Sequence, residues 1–142
     1  MNNTPHLIIV GGGAAGMAAA IAAAEQSPDL TVTVYEPNAV LGRKLRITGK
    51  GRCNVTNDCS PAEVLDNVTK NRKFLTGAIF RYTPADVMSF FEDNGVPLKT
   101  ERGRRVFPVS DKAADISGAM ERVMKGLGVH VVQEKVTSLL ST

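Results

Sequence analysis

Apolar positions along this chain change spacing several times, and each spacing predicts a different element. Leu7-Ile8-Ile9-Val10 is a short unbroken apolar run, which predicts a strand. The small residues Ala18, Ala19, Ala20, Ile21, Ala22, Ala23 and Ala24 suit a helix packed closely against a sheet. Thr31-Val32-Thr33-Val34-Tyr35 is β-branched and reads as a second strand. Helical spacing returns at Val87, Phe90 and Phe91, after Thr83-Pro84-Ala85-Asp86 and before Asn94-Gly95. Those flanks are a capping start and a glycine stop. A second amphipathic helix starts at Ser110 or Asp111 and carries Ile116, Met120, Val123, Met124 and Leu127 on one side, ending at Gly126 and Gly128. Between the two helices, Val96 to Lys99 and Arg105 to Val109 are expected to pair as a hairpin around Glu101-Arg102-Gly103. Residues Gly128 to Leu140 read as two strand-like runs separated by a polar turn.

The first strand leads straight into Gly11-Gly12-Gly13-Ala14-Ala15-Gly16, and Glu36 closes the second strand. This is the glycine fingerprint of a dinucleotide-binding βαβ unit in its required setting, strand before and helix after. Gly11 permits the tight turn, Gly13 lets backbone approach a pyrophosphate, and Gly16 lets the helix pack closely on the strand. The helix then points its N-terminal N–H groups at the phosphates. A carboxylate at the end of the second strand accepts hydrogen bonds from ribose hydroxyls and repels a 2′-phosphate, so NADP is disfavoured in this site. Met17 stands where a P-loop needs lysine, which argues against a nucleotide triphosphatase. The expected fold is α/β: a Rossmann-like βαβ unit with a parallel sheet, a short β-hairpin and flanking helices.

The 142 residues are 43% hydrophobic and 22% charged, an ordinary globular balance, and the net charge of +3 argues only weakly for nucleic-acid or membrane partners. Leu7 to Ala24 has no charged side chain, but four glycines and many alanines make it a poor membrane span. No lysine or arginine precedes it in Met1 to His6, so it does not read as a signal peptide either; a cytoplasmic location is expected. Cys53 and Cys59 are too few for a disulfide scaffold and lack zinc-ligand spacing, so no metal is expected and reduced structural thiols are the reading. His6 and His130 read as terminal and strand-surface residues.

Leu41 to Asn57 reads as neither helix nor clean strand. It holds Arg43, Lys44, Arg46, Lys50 and Arg52, three glycines and no acid. A basic glycine-rich loop just past the ribose-binding strand is placed to meet phosphate oxygens or a flavin edge. A solvated loop or a nucleic-acid contact is the alternative, weakened for single strands by the lack of aromatic residues.

Within this stretch, Ile47-Thr48-Gly49-Lys50-Gly51-Arg52-Cys53-Asn54-Val55-Thr56-Asn57 resembles the signature of the BaiN/YhiN-like family of bacterial FAD-binding oxidoreductases. The resemblance runs from the glycine motif through Gly103-Arg104-Arg105-Val106-Phe107-Pro108-Val109-Ser110, so it covers essentially the whole chain, and in Gly103-Arg104-Arg105-Val106 this chain carries one extra arginine. It implies that FAD fills the site of Gly11, Gly13 and Gly16, with Ala14, Ala15, Glu36, Arg43, Lys44 and the backbone of Val136 as further contacts. NAD(P)H would serve as an electron donor or acceptor. The resemblance also implies a longer protein, in which residues 1–142 are the N-terminal part of an FAD/NAD(P)-binding domain. The substrate domain and the remaining flavin-binding segment would come from elsewhere, so the domain is incomplete. Its sheet is therefore expected to show an open edge or an exposed apolar face. Catalytic residues are not assigned, and the partners expected are FAD and a small-molecule substrate. Two other classes remain: a nucleic-acid-interacting flavoprotein and a non-catalytic dinucleotide-binding module.

Overall fold

The computed structural model describes residues 5–140. The chain divides into two compact units, Met1–Arg46 with Ser117–Thr142, and Ile47–Ile116.

The first unit opens with strand β1 (His6–Val10), helix α1 (Ala14–Gln26) and strand β2 (Thr31–Tyr35), as the apolar pattern predicts. A third strand, β6 (His130–Val132), completes a parallel sheet in the order β1-β2-β6. The register pairs Ile8 with Thr33 and Thr33 with His130. Met17, Ala20, Ile21 and Ala24 form the buried face of α1, and Val32 and Val34 are buried in the central strand. Small side chains on α1 allow the close helix-to-sheet approach that makes this packing dense. Helix α6 (Ala113–Gly126) buries Ala119, Met120 and Met124 and ends as Gly128 adopts a positive φ. It begins two residues after Asp111; Ser110 accepts from Lys112 N–H and bonds Asp115, so the turn before the helix is itself organised by side chains.

The expected open edge is present. β1 has one strand neighbour among the described residues, and Ile8 and Val10 are 53% and 58% exposed. The second of the two strand-like runs at the end of the chain is not a strand. After Val132 the residues to Leu140 carry no ladder, Leu139 and Leu140 are exposed, and Val136 is half-buried. Alternating apolar residues make a strand only against a partner with free backbone groups. Among the described residues none is paired with them.

The second unit holds an antiparallel sheet in the order β3-β5-β4, built from β3 (Thr56–Asn57), β4 (Leu98–Glu101) and β5 (Arg105–Pro108). β4 and β5 are the expected hairpin, and Thr100 opposite Val106 fixes its register. The extra arginine falls in its turn: Arg104 has φ +59 and reaches Glu63 at 2.7 Å. α5 (Pro84–Asp93) has the capping box read from sequence, with Thr83 and Asp86 bonding reciprocally, and Phe91 is its deepest side chain. Val106 and Phe107 are fully buried.

Three helices escaped the hydrophobic pattern. α2 (Arg43–Ile47) continues into a 3₁₀ turn at Thr48–Gly51, so the basic segment is not an open loop. α3 (Pro61–Asp66) starts at a second capping box, Ser60 with Glu63, and α4 (Arg72–Arg81) buries none of its residues. The Ser-Pro-Ala-Glu string at Ser60 was a readable start signal. α2 and α3, with one or two turns, have too few positions for a periodicity to show, and α4 has no buried stripe to produce one.

Candidate functional site

The site is built at the turn from β1 into α1. Gly11 has φ +104, which side chains rarely adopt, and its N–H donates to Tyr35 O at 2.8 Å across the sheet. Gly16 is required by space: a Cβ there would overlap the carbonyl oxygen of Gly11, which is backbone and cannot give way. Gly13 differs. Its φ of −77 suits any residue, and a Cβ would meet nothing within 4 Å. The fold itself makes no demand for glycine at this position.

The helical ladder of α1 starts with Met17 N–H to Gly13 O at 2.9 Å. The N–H groups of Ala14, Ala15 and Gly16 therefore have no intrahelical acceptor. No side chain caps this end, and its first turn carries no acid. Ala14 and Ala15 are exposed. Uncapped, accessible N–H groups at the positive end of a 13-residue helix match an anionic ligand.

Glu36 lies at the end of β2 with its carboxylate already anchored. Oε2 accepts from Gly12 N–H at 2.8 Å, and Oε1 accepts from both the backbone and the side chain of Asn38. These bonds, the backbone N–H of Asn38 first and that of Gly12 next, hold its pKa below the ordinary carboxylate value. The backbone N–H of Glu36 donates to Val132 O at 3.0 Å, so the end of β6 lies beside it. Val136 follows four residues later in irregular chain.

Sequence reasoning passed over Gly12, Asn38 and Gly42. Gly12 is buried; a Cβ there would overlap Leu41 Cδ2 and press on Glu36 Cβ at 3.1 Å. Its carbonyl accepts from Gly42 N–H at 2.8 Å, which docks the segment after β2 onto the glycine turn. Gly42 has φ +63, and a Cβ would crowd Met17, Ser117 and Leu45 at 3.0 to 3.3 Å. The third glycine in Gly11-Gly12-Gly13 was the available signal for Gly12. Nothing local signalled Asn38 or Gly42, whose roles depend on contacts across the fold.

The five basic residues separate into different roles. Arg43 and Lys44 are exposed at the start of α2, and Arg43 Nη1 reaches Asn38 Oδ1 at 3.2 Å. No carboxylate lies within ion-pair reach of Lys44 among the described residues. Arg46 pairs with Glu121 at 3.5 Å. In the second unit Arg52 pairs with Glu101 at 2.9 Å and Asp111 at 3.3 Å and lies 4.0 Å from the centre of the Phe107 ring. Arg52 is thus committed within its own unit, while Lys50 is exposed.

Cys53 is buried and burial pushes its thiol up, which opposes a reactive thiolate; Cys59 is also unpaired with another cysteine. His6 is a β1 residue whose Nε2 meets Thr33 Oγ1 at 2.9 Å, and His130 is exposed on β6. No cluster of three or more metal-ligating side chains occurs among the described residues, and no helix there is long and apolar enough to cross a membrane.

Comparison with known proteins agrees with this geometry. The HI0933-like protein Rossmann domain family matches residues 5–141. The 3-dehydro-bile acid delta(4,6)-reductase of Clostridium scindens is 33% identical over 123 residues, 87% of this chain and 29% of that protein. The ribosomal RNA dihydrouridine synthase of Haemophilus influenzae is 37% identical over 97 residues, 68% of this chain and 23% of that protein. The chain thus spans less than a third of either relative's length. In fold it is similar to Thermovibrio ammonificans THI4, with a TM-score of 0.56 at 16% identity, over 91% of this chain and 38% of that one. A match over nearly the whole chain, on a βαβ unit whose glycines and acid have the geometry just described, places the chain in the HI0933-like Rossmann domain family, the BaiN/YhiN-like group of FAD-dependent oxidoreductases.

Proposed function

We propose that this chain binds the ADP moiety of FAD, as part of a longer cytoplasmic flavoprotein oxidoreductase acting on a small molecule. The observation that carries the reading is the pairing of an anchored, ionised Glu36 with an uncapped α1 N-terminus, joined through Gly12 N–H at 2.8 Å. The N–H groups of Ala14, Ala15 and Gly16 would hold the pyrophosphate, with Gly11 and Gly13 leaving room for it. Arg43 and Lys44 would add positive charge. A carboxylate offers about four acceptor sites, and three donors already occupy Glu36, so room remains for about one ribose hydroxyl without rearrangement. The backbone of Val136 would lie beside the adenine. Bound FAD supplies a two-electron redox centre; NAD(P)H would exchange electrons with it in the longer protein. The matched share of the curated relatives supports assigning the substrate domain and the rest of the flavin site to sequence beyond these residues.

The test is equilibrium binding of FAD, ADP and NAD, with flavin absorbance in a protein of the relatives' full length. FAD is expected to bind and colour the protein. Colourless protein that refuses FAD but binds NAD would overturn the cofactor. Glu36→Ala should weaken ADP by about 1–3 kcal/mol through loss of a charged hydrogen bond.

An RNA substrate is the second reading, favoured by the kinship with a ribosomal RNA dihydrouridine synthase and by a feature of α4. Phe74, Phe80 and Tyr82 are 85%, 56% and 53% exposed, and the sequence from Asn67 to Ala85 holds Lys70, Arg72, Lys73 and Arg81 without an acid. Exposed rings among cations suit stacking bases. Strongly salt-dependent RNA binding that FAD does not compete, and that Phe74→Ala weakens, would favour it.

A further inference from the structure

Asn38 lies two residues past Glu36 and touches two charged groups of the proposed nucleotide site, Glu36 and Arg43. Its backbone N–H donates to Glu36 Oε1 at 2.9 Å, and its Nδ2 donates to the same oxygen at 2.5 Å. On the other side its Oδ1 accepts from Arg43 Nη1 at 3.2 Å. The amide orientation is dictated by chemistry. Turned over, it would set an oxygen against the carboxylate and an NH₂ against the guanidinium, replacing two attractions with two repulsions. Gly12 N–H holds the other carboxylate oxygen at 2.8 Å, so Glu36 is gripped from both sides.

We propose that Asn38 is a positioning and selectivity residue: it locks the Glu36 carboxylate in one rotamer and ties it to Arg43, so that ribose recognition and phosphate-side charge are set together. The inference rests on the ribose reading of Glu36. A free glutamate can swing aside to admit a 2′-phosphate. A pinned one keeps its charge where that phosphate would have to sit, and discrimination against it is the result. The low pKa of Glu36 agrees, since the donors that fix the rotamer also favour the ionised form. The groups that meet this carboxylate, Gly12 N–H and the backbone and side-chain N–H of Asn38, carry no charge of their own, and Arg43 reaches Asn38 and not Glu36.

The test uses the 142-residue chain and two readouts. In the first, the side-chain carboxyl carbon of Glu36 is titrated by NMR without ligand, in wild type, Asn38→Ala and Asn38→Ser. The midpoint should rise in Asn38→Ala and return partway in Asn38→Ser, whose hydroxyl can still donate. In the second, ADP and its 2′-phosphorylated counterpart are titrated by amide shifts, which read affinities into the millimolar range. Asn38→Ala should weaken ADP and narrow the preference for it by about tenfold, the size expected for one hydrogen bond to a charged group. An unmoved Glu36 midpoint, or an unchanged preference in an Asn38→Ala protein with an otherwise native spectrum, overturns the proposal. If Glu36→Ala leaves ADP affinity unchanged, the ribose reading falls instead; the ligand-free titration still decides whether Asn38 positions Glu36.

Discussion

In the unit of Met1–Arg46 and Ser117–Thr142 the tightest fits are made at glycines, where backbone or a neighbouring side chain closes into the space a Cβ would take, whereas Ile47–Ile116 is organised around aromatic and charged side chains. Gly16 approaches the Gly11 carbonyl, and Gly42 N–H donates to the Gly12 carbonyl. In the second unit Phe107 is roofed by Arg52 and flanked by Gly49. Lys99, Glu101 and Asp111 surround that arginine with charge, and two capping boxes start α3 and α5. The difference teaches what each unit tolerates. Where backbone sets the geometry, adding one methyl group is severe; where side chains set it, removing one matters according to how deeply it is buried.

Phe107→Ala should give the largest effect, a loss of about 3–5 kcal/mol for a fully buried ring. Urea denaturation reads it; a loss below 1 kcal/mol would mean that the surrounding charges, and not the ring, hold the second unit. Gly16→Ala should cost about 3 kcal/mol, the upper end of the range for overpacking, because the atom in its way is backbone. Gly13→Ala, where a methyl group finds open space, is its control and should leave stability nearly unchanged while weakening ADP. Equal melting temperatures for the two alanine variants would break the backbone account. Thr83→Ala removes the side-chain cap of α5 and should cost about 1 kcal/mol, checked by thermal melting.

The smallest effect is one of pH. Arg104, then the Ser60 backbone and hydroxyl, hold Glu63 down to about 2 from an ordinary 4.5. A depressed pKa contributes stability that is complete above the unfolded value and lost as pH falls from about 4.5 through about 2. Glu63→Gln should therefore flatten the acid side of the stability profile in that window and leave its shape near neutrality unaltered. An acid limb identical to wild type would show that this exposed pair contributes nothing, the common outcome for surface ion pairs.

Legibility in the sequence followed the range of the forces involved. Leu7 to Glu36 could be read because strand, turn and helix there are fixed by neighbours: a solid apolar run, glycines where the turn requires them, alanines, and a β-branched strand ending in an acid. Thr83-Pro84-Ala85-Asp86 was readable for the same reason, a cap being a bond between residues three apart. Ser60 to Glu63 carried an equally local signal. The apolar end from Val136 to Leu140 misled, since strand character there depends on a partner elsewhere in the chain.

By itself the sequence determined the βαβ unit, the hairpin and the glycines and acid of the proposed nucleotide site, because each is specified by local geometry. Only the tertiary structure decided how the site is held. It showed that Gly12 carries the bond between the turn and Glu36, that Asn38 joins Glu36 to Arg43, and that Arg52 is spent on Glu101, Asp111 and Phe107. Those partners are separated by as many as 59 residues along the chain. Hydrogen bonds and ion pairs depend on distance in space, and that distance exists only once the chain is folded.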